Sequence, residues 1–128
     1  MSDAATTTII IRCGTIFLTA ELNDSASARK VAAALPVTSE VGRWGDEVYF
    51  EIPVTDKLAA DARDVLEAGE IAFWPPGRAV CLFWGRTPSS RGDEIRAASL
   101  VNPIGRITGD ASVLSAAGTG DQIVVERL

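Results

Sequence analysis

The run Gly69-Glu70-Ile71-Ala72-Phe73-Trp74-Pro75-Pro76-Gly77, followed at once by Ala79-Val80-Cys81-Leu82-Phe83-Trp84-Gly85-Arg86-Thr87-Pro88 after Arg78, carries the pattern on which the fold turns. Glu70 to Trp74 and Ala79 to Trp84 are short, apolar and rich in residues that suit a pleated surface, so each predicts a strand. Pro75-Pro76-Gly77 cannot continue a hydrogen-bonded ladder, because proline has no N–H to donate, and it predicts a rigid turn between them. Gly85 to Gly92 reads as a polar loop.

Outward from this core the same grammar repeats. Thr6 to Arg12 and Thr15 to Glu21 are β-prone runs around a glycine turn, which predicts a hairpin. With a two-residue loop, Ile9, Ile11, Ile16 and Leu18 share one face while Ile10 and Phe17 share the other, so this hairpin is expected to be covered on both sides. Asn23-Asp24-Ser25 offers capping side chains, and Ala28, Val31, Ala32 and Leu35 recur at helical spacing until Pro36 stops them. Val37 to Trp44 and Glu47 to Ile52 form a second predicted hairpin around Gly45-Asp46, with Arg43 opposite Val48 and Val41 opposite Phe50. Arg43 then shares a face with apolar residues, unless a bulge at Gly42 turns it outward. Glu47, Tyr49 and Glu51 alternate on the other face as solvated strand residues.

Lys57 to Ala68 is compatible with a helix or with a short strand ending at Gly69. Ala97 to Val101 and Ile104 to Thr108 read as two further strands punctuated by Asn102-Pro103. Asp110 can cap a short helix over Ala111 to Ala117, and Gln122 to Arg127 is a final strand. The total, about eight short strands and two helices, predicts a mostly β fold, a closed barrel or sandwich, and not a parallel α/β sheet. At 128 residues the chain supports one domain. That domain is placed at residues 6–128, after a flexible N-terminus at residues 1–5.

Composition removes several classes of function. The chain contains no histidine, which takes away the commonest metal ligand and the commonest neutral-pH general base, and with them Ser-His and Cys-His triads. A net charge of −5 disfavours a nucleic-acid partner. No apolar run approaches the ~20 residues of a membrane span and no secretory signal opens the chain, so a cytoplasmic protein without membrane contact is expected. Cys13 and Cys81 lie in or beside apolar runs and read as buried thiols, not as a disulfide framework. The glycine-rich segments Gly105 to Gly109 and Gly118 to Gly120 lack the spacing of a phosphate loop, and Asp61, Asp64 and Glu67 read as a solvated face, so neither a cofactor nor a metal is expected.

The Phe73-Trp74-Pro75-Pro76-Gly77 and Phe83-Trp84-Gly85-Arg86-Thr87-Pro88 segments, together with Leu35-Pro36, Trp44 to Phe50 and Asn102 to Gly109, resemble a family of small uncharacterised prokaryotic cyclophilin-like proteins. The similarity runs from Ile9 nearly to the C-terminus. It implies a closed cyclophilin-like β-barrel of about eight strands with two capping helices, one early and one late. True cyclophilins accelerate prolyl isomerisation with an arginine in a hydrophobic groove, a Gln-bearing motif and a late histidine. Here the Gln motif and the histidine are missing, and only Arg43 beside Phe50 could imitate the arginine and its apolar neighbour.

The function expected is therefore binding of a small molecule or an extended peptide in an aromatic and arginine-lined groove, without histidine-based catalysis. Arg43, Tyr49, Phe50, Trp74, Phe83, Trp84, Arg86 and Asn102 are the candidate site residues, with Trp74 and Arg86 at the mouth of one barrel. Because Phe83 and Trp84 are neighbours on one strand they point to opposite faces, and only one of them can line a given cavity. Two alternatives stand beside this: peptidyl-prolyl isomerisation, and a non-catalytic protein that forms a homodimer through exposed edges such as Thr6 to Arg12 and Ile123-Val124-Val125.

Overall fold

A computed structural model describes residues 6–128; the N-terminal segment 1–5, expected to be flexible, lies outside the described residues. Nine antiparallel strands follow in the order β1 (Thr7–Cys13), β2 (Ile16–Leu22), β3 (Val37–Arg43), β4 (Glu47–Glu51), β5 (Arg63–Leu66), β6 (Glu70–Trp74), β7 (Ala79–Phe83), β8 (Ile95–Ile107) and β9 (Gln122–Arg127). Eight of them close a ring, β2-β1-β9-β3-β4-β7-β6-β8, in which β8 returns to pair with β2, and β5 lies outside it on the first half of β8.

Period-two alternation sets what fills the ring. Ile9, Ile11 and Cys13 of β1, Leu18, Ala20 and Leu22 of β2, Val48 and Phe50 of β4, and Ile71 and Phe73 of β6 all point into one core. That core is solid. A void among Ile9, Leu22, Phe50, Leu82 and Ile104 measures about 10 Å³, no more than room for one water.

Helix α1 (Ala26–Ala34) starts at Ser25, whose hydroxyl accepts from the Ala28 N–H at 3.3 Å, and it buries Ala28, Val31 and Ala32 against the barrel. It ends before Leu35-Pro36, a cis peptide. A 3₁₀ helix, Ala111–Ala116, is capped by Asp110 and drives Leu114 and Ala117 into the core. The two sit at opposite ends. Arg127, at one end of β9, donates to the α1 carbonyl of Ala32, whereas Arg43, at the far end of β3, reaches the carbonyl of Ala117.

Closure requires one glycine. At Gly105, where β8 meets β2, an added Cβ would run into the Glu21 carbonyl oxygen and lie 3.0 Å from Leu22 Cα, so only a hydrogen fits between these backbones.

Several expectations change on folding. The two strands read around Asn102-Pro103 are one continuous β8, because a register shift between Ile71 and Ala72 of β6 accommodates Pro103 within the ladder. The ambiguous Lys57–Ala68 contains no helix; it yields the short β5. The second face of the first hairpin is covered only in part: Ile10 is 8% exposed, but Phe17 is 56% exposed, with the Arg12 guanidinium 5.5 Å from its ring. Neither Thr6 to Arg12 nor Ile123-Val124-Val125 is an open edge, since β1 lies between β2 and β9, and β9 between β1 and β3. Both strands are thus paired on each side, and among the described strands β5 pairs on one side only, with β8. Among the described residues no helix is long and apolar enough to cross a membrane.

Candidate functional site

All five residues of β7, Ala79-Val80-Cys81-Leu82-Phe83, are buried, which means that both faces of this part of the wall are covered. Val80 and Leu82 face the barrel core. Cys81 and Phe83 face outward into a second apolar cluster with Leu66, Ala72, Ile95, Ala97 and Val101, against which Trp74 packs. The cover is an arm made of β5 and the first half of β8. Arg63 on the arm holds the buried Glu70 carboxylate in a two-pronged ion pair, and Glu70 also accepts from the Glu67 N–H at 2.9 Å.

The arm does not close completely. Arg63 pairs with Val101 but Val65 already pairs with Arg96, so Ala97 to Leu100 has only Asp64 opposite it and bulges from the ladder. Ser99 on this bulge accepts a 2.7 Å hydrogen bond from the Trp74 indole N–H. Between the bulge and the outer face of β4, β7 and β6 lies a pocket of about 260 Å³, lined by Trp44, Glu47, Tyr49, Trp74, Cys81, Ala97, Ala98 and Val101.

Glu47 decides the character of this pocket. On β4 it faces outward, as alternation requires, yet the arm leaves it only 5% exposed. The expectation of a solvated strand residue is therefore corrected: outward from the barrel is not outward to water where a second layer overlies the wall. No Lys or Arg among the described residues pairs with Glu47; Arg63 is taken by Glu70, and Arg96 by Asp64 and Glu94. Loss of hydration raises its pKa from the usual 4.5 to about 7, and a hydrogen bond with the Cys81 thiol offsets part of that rise. Burial, and after it the neighbouring Glu47, push the Cys81 thiol well above its ordinary value, so Cys81 stands as a neutral wall of the pocket.

The aromatic walls are placed by backbone economy. The β3–β4 register is regular, Val41 to Phe50, Gly42 to Tyr49 and Arg43 to Val48, so no bulge occurs at Gly42. Gly42 instead makes room for the Tyr49 ring: a Cβ there would lie 2.6 Å from the phenol oxygen and 2.8 Å from Cε2. Tyr49 remains 39% exposed at the pocket rim.

Of the eight residues nominated from sequence, Tyr49 and Trp74 line this pocket and six do not. Phe50 is in the barrel core and Phe83 in the outer cluster. Trp84, on the barrel side of the wall, lies under the Arg43 guanidinium at 5.1 Å. Arg43 is a latch: it donates to the carbonyls of Ala117 at 2.8 Å, Ser115 at 3.1 Å and Gly45 at 3.0 Å, so it is neither free in a groove nor joined there to Phe50. Arg86 sits in the β7–β8 loop, its backbone carbonyl accepting from Asp46, and it does not share a mouth with Trp74. Asn102 is spent on structure. Its amide donates to Ser27 and to the Lys57 carbonyl, both at 2.9 Å, and accepts from the Ala59 N–H at 2.8 Å, tying the 53–62 segment to α1.

Trp44, Glu47, Cys81 and the small residues Ala97 and Ala98 are absent from the sequence nomination. One signal for Glu47 was available: a strand as apolar on both faces as Ala79 to Phe83 must be covered outside, and the neighbouring strand shares that cover.

The family profile described as Cyclophilin-like matches residues 7–126. The solution structure of a hypothetical protein from Archaeoglobus fulgidus is similar to this chain, with 38% sequence identity, a TM-score of 0.83, and 99% of this chain and 98% of the other covered. No curated protein matches the chain.

Proposed function

The chain belongs to the cyclophilin-like family, and from that premise we propose that it is a binding module for a small molecule seated outside the barrel, in the pocket above Glu47. The observation that carries this reading is a carboxyl only 5% exposed, with no cationic partner among the described residues, at the wall of a pocket otherwise built from Trp44, Tyr49, Trp74, Cys81 and small apolar side chains. A carboxyl buried without a counter-charge loses stability whenever it ionises, and one directional polar group in an apolar recess is the usual composition of a ligand site. At about 260 Å³ the pocket suits a molecule of one or two rings and not an extended peptide. The groove expected to be lined by arginine is instead lined by a carboxyl, because Arg43 is held by carbonyls at the barrel end. That same engagement leaves prolyl isomerisation without its arginine.

The test is a fragment screen followed by ¹H–¹⁵N correlation spectra of the wild-type protein. Binding should move the indole signals of Trp44 and Trp74 and the amides of Ala97, Ala98 and Val101. Fragments that shift only signals elsewhere, or a library that shifts nothing, would remove the reading.

A further inference from the structure

We infer that the ligand of this pocket is a small organic cation with at least one N–H donor, an amine or amidine, whose charge meets the Glu47 carboxylate while its apolar body lies against Trp44, Tyr49 and Trp74. The inference rests on the pocket reading above and deepens it. Glu47 is 5% exposed and lines the pocket, so the pocket is the space from which a partner for its charge can reach it. The nearby basic side chains are committed: Arg43 to the carbonyls of Ser115, Ala117 and Gly45, Arg63 to Glu70, and Arg96 to Asp64 and Glu94. None supplies the missing positive charge.

The walls agree with that sign. Tryptophan and tyrosine rings carry negative π faces that attract ammonium and amidinium groups, most strongly where water is excluded. An anion would meet a carboxylate in a low-dielectric recess, and a neutral molecule would leave the Glu47 carboxyl to hold its proton, whereas a cation pairs with its charged form. The net charge of −5 favours the approach of cations over the whole surface. Tyr49 on the same strand and Cys81 on β7 are the titratable groups that share the pocket with Glu47; β6 and β8 contribute Trp74, Ala97, Ala98 and Val101, which do not titrate.

Benzamidine and benzylamine, their neutral counterparts benzamide and benzyl alcohol, and benzoate form a charge series of nearly constant shape. Dissociation constants at pH 8 are read from the Trp44 and Trp74 indole shifts of the intact protein. The cations are expected to bind at least tenfold more tightly than the neutral probes, and Glu47→Gln to abolish that preference while retaining weak binding of benzamide. Benzamidine should also pull the ¹³C titration midpoint of the wild-type Glu47 carboxyl downward, a measurement that needs no variant. Equal or tighter binding of benzamide, benzyl alcohol or benzoate in the pocket overturns the cation inference and leaves the pocket reading standing. If no probe of any charge moves the pocket signals, both fall.

Discussion

Glu47→Gln removes one proton-binding site and leaves the shape of the side chain almost unchanged, so its effect on stability isolates the cost of charging this carboxyl. In the unfolded chain the group titrates near 4.5, and in the folded protein near 7. Below pH 4.5 both states hold the proton and the group contributes nothing to the pH dependence. Between pH 4.5 and 7 the unfolded state releases its proton while the native state keeps it, so the native state binds more protons and stability falls as pH rises, by about 1.4 kcal/mol per unit. Above pH 7 both states are charged and the loss levels off at about 3 kcal/mol, the shift from 4.5 to about 7 multiplied by the free energy of one pKa unit. Glutamine cannot charge. Wild type and variant should therefore match near pH 4 and diverge with rising pH, with the variant the more stable by about 3 kcal/mol at pH 8. Urea denaturation across pH 4 to 8.5 reads this directly: with an m-value of about 1–3 kcal/mol/M, the midpoints separate by about 1–3 M at the alkaline end. The other carboxylates cancel in the difference. A separation that does not change with pH, or a Glu47 ¹³C midpoint near 4.5, would refute the argument.

Asn102→Ala strips the partly buried Ala59 N–H and Lys57 carbonyl and the buried Ser27 hydroxyl of their partner and should cost about 1–3 kcal/mol in urea denaturation, with no change in probe binding at the pocket. Arg43→Ala frees the carbonyls of Ser115 and Ala117 and should cost about 1–3 kcal/mol, with faster amide hydrogen exchange confined to the 111–120 segment. Gly105→Ala forces β2 and β8 apart and should lose about 1–3 kcal/mol, with increased exchange at their shared amides; an unchanged stability would show that closure does not need this contact. A short Xaa-Pro peptide should isomerise at its spontaneous rate, over a barrier of ~18–20 kcal/mol, whatever the protein concentration, and a rate that rises with protein would restore Arg43 as a catalytic candidate.

Local pattern determined much of this molecule. The hairpin registers around Gly14 and Gly45, the cap of α1 at Ser25, the stop before Pro36 and the turn at Pro75-Pro76-Gly77 all follow from interactions between residues close in the chain, which propensity and alternation encode. The resemblance carried by the Phe-Trp-Pro-Pro-Gly and Phe-Trp-Gly-Arg-Thr-Pro segments extended that pattern to a barrel, and the closed ring bears it out. What folding alone decided is the second layer. Alternation separates two faces of a strand, but it does not say whether the face turned away from the barrel meets water or another strand. That depends on where β5 and the first half of β8 lie over the wall, a contact between residues far apart in sequence. For this reason Glu47 reads as a surface glutamate and folds as a buried one, while Arg43 reads as a groove cation and folds as a latch across the barrel end.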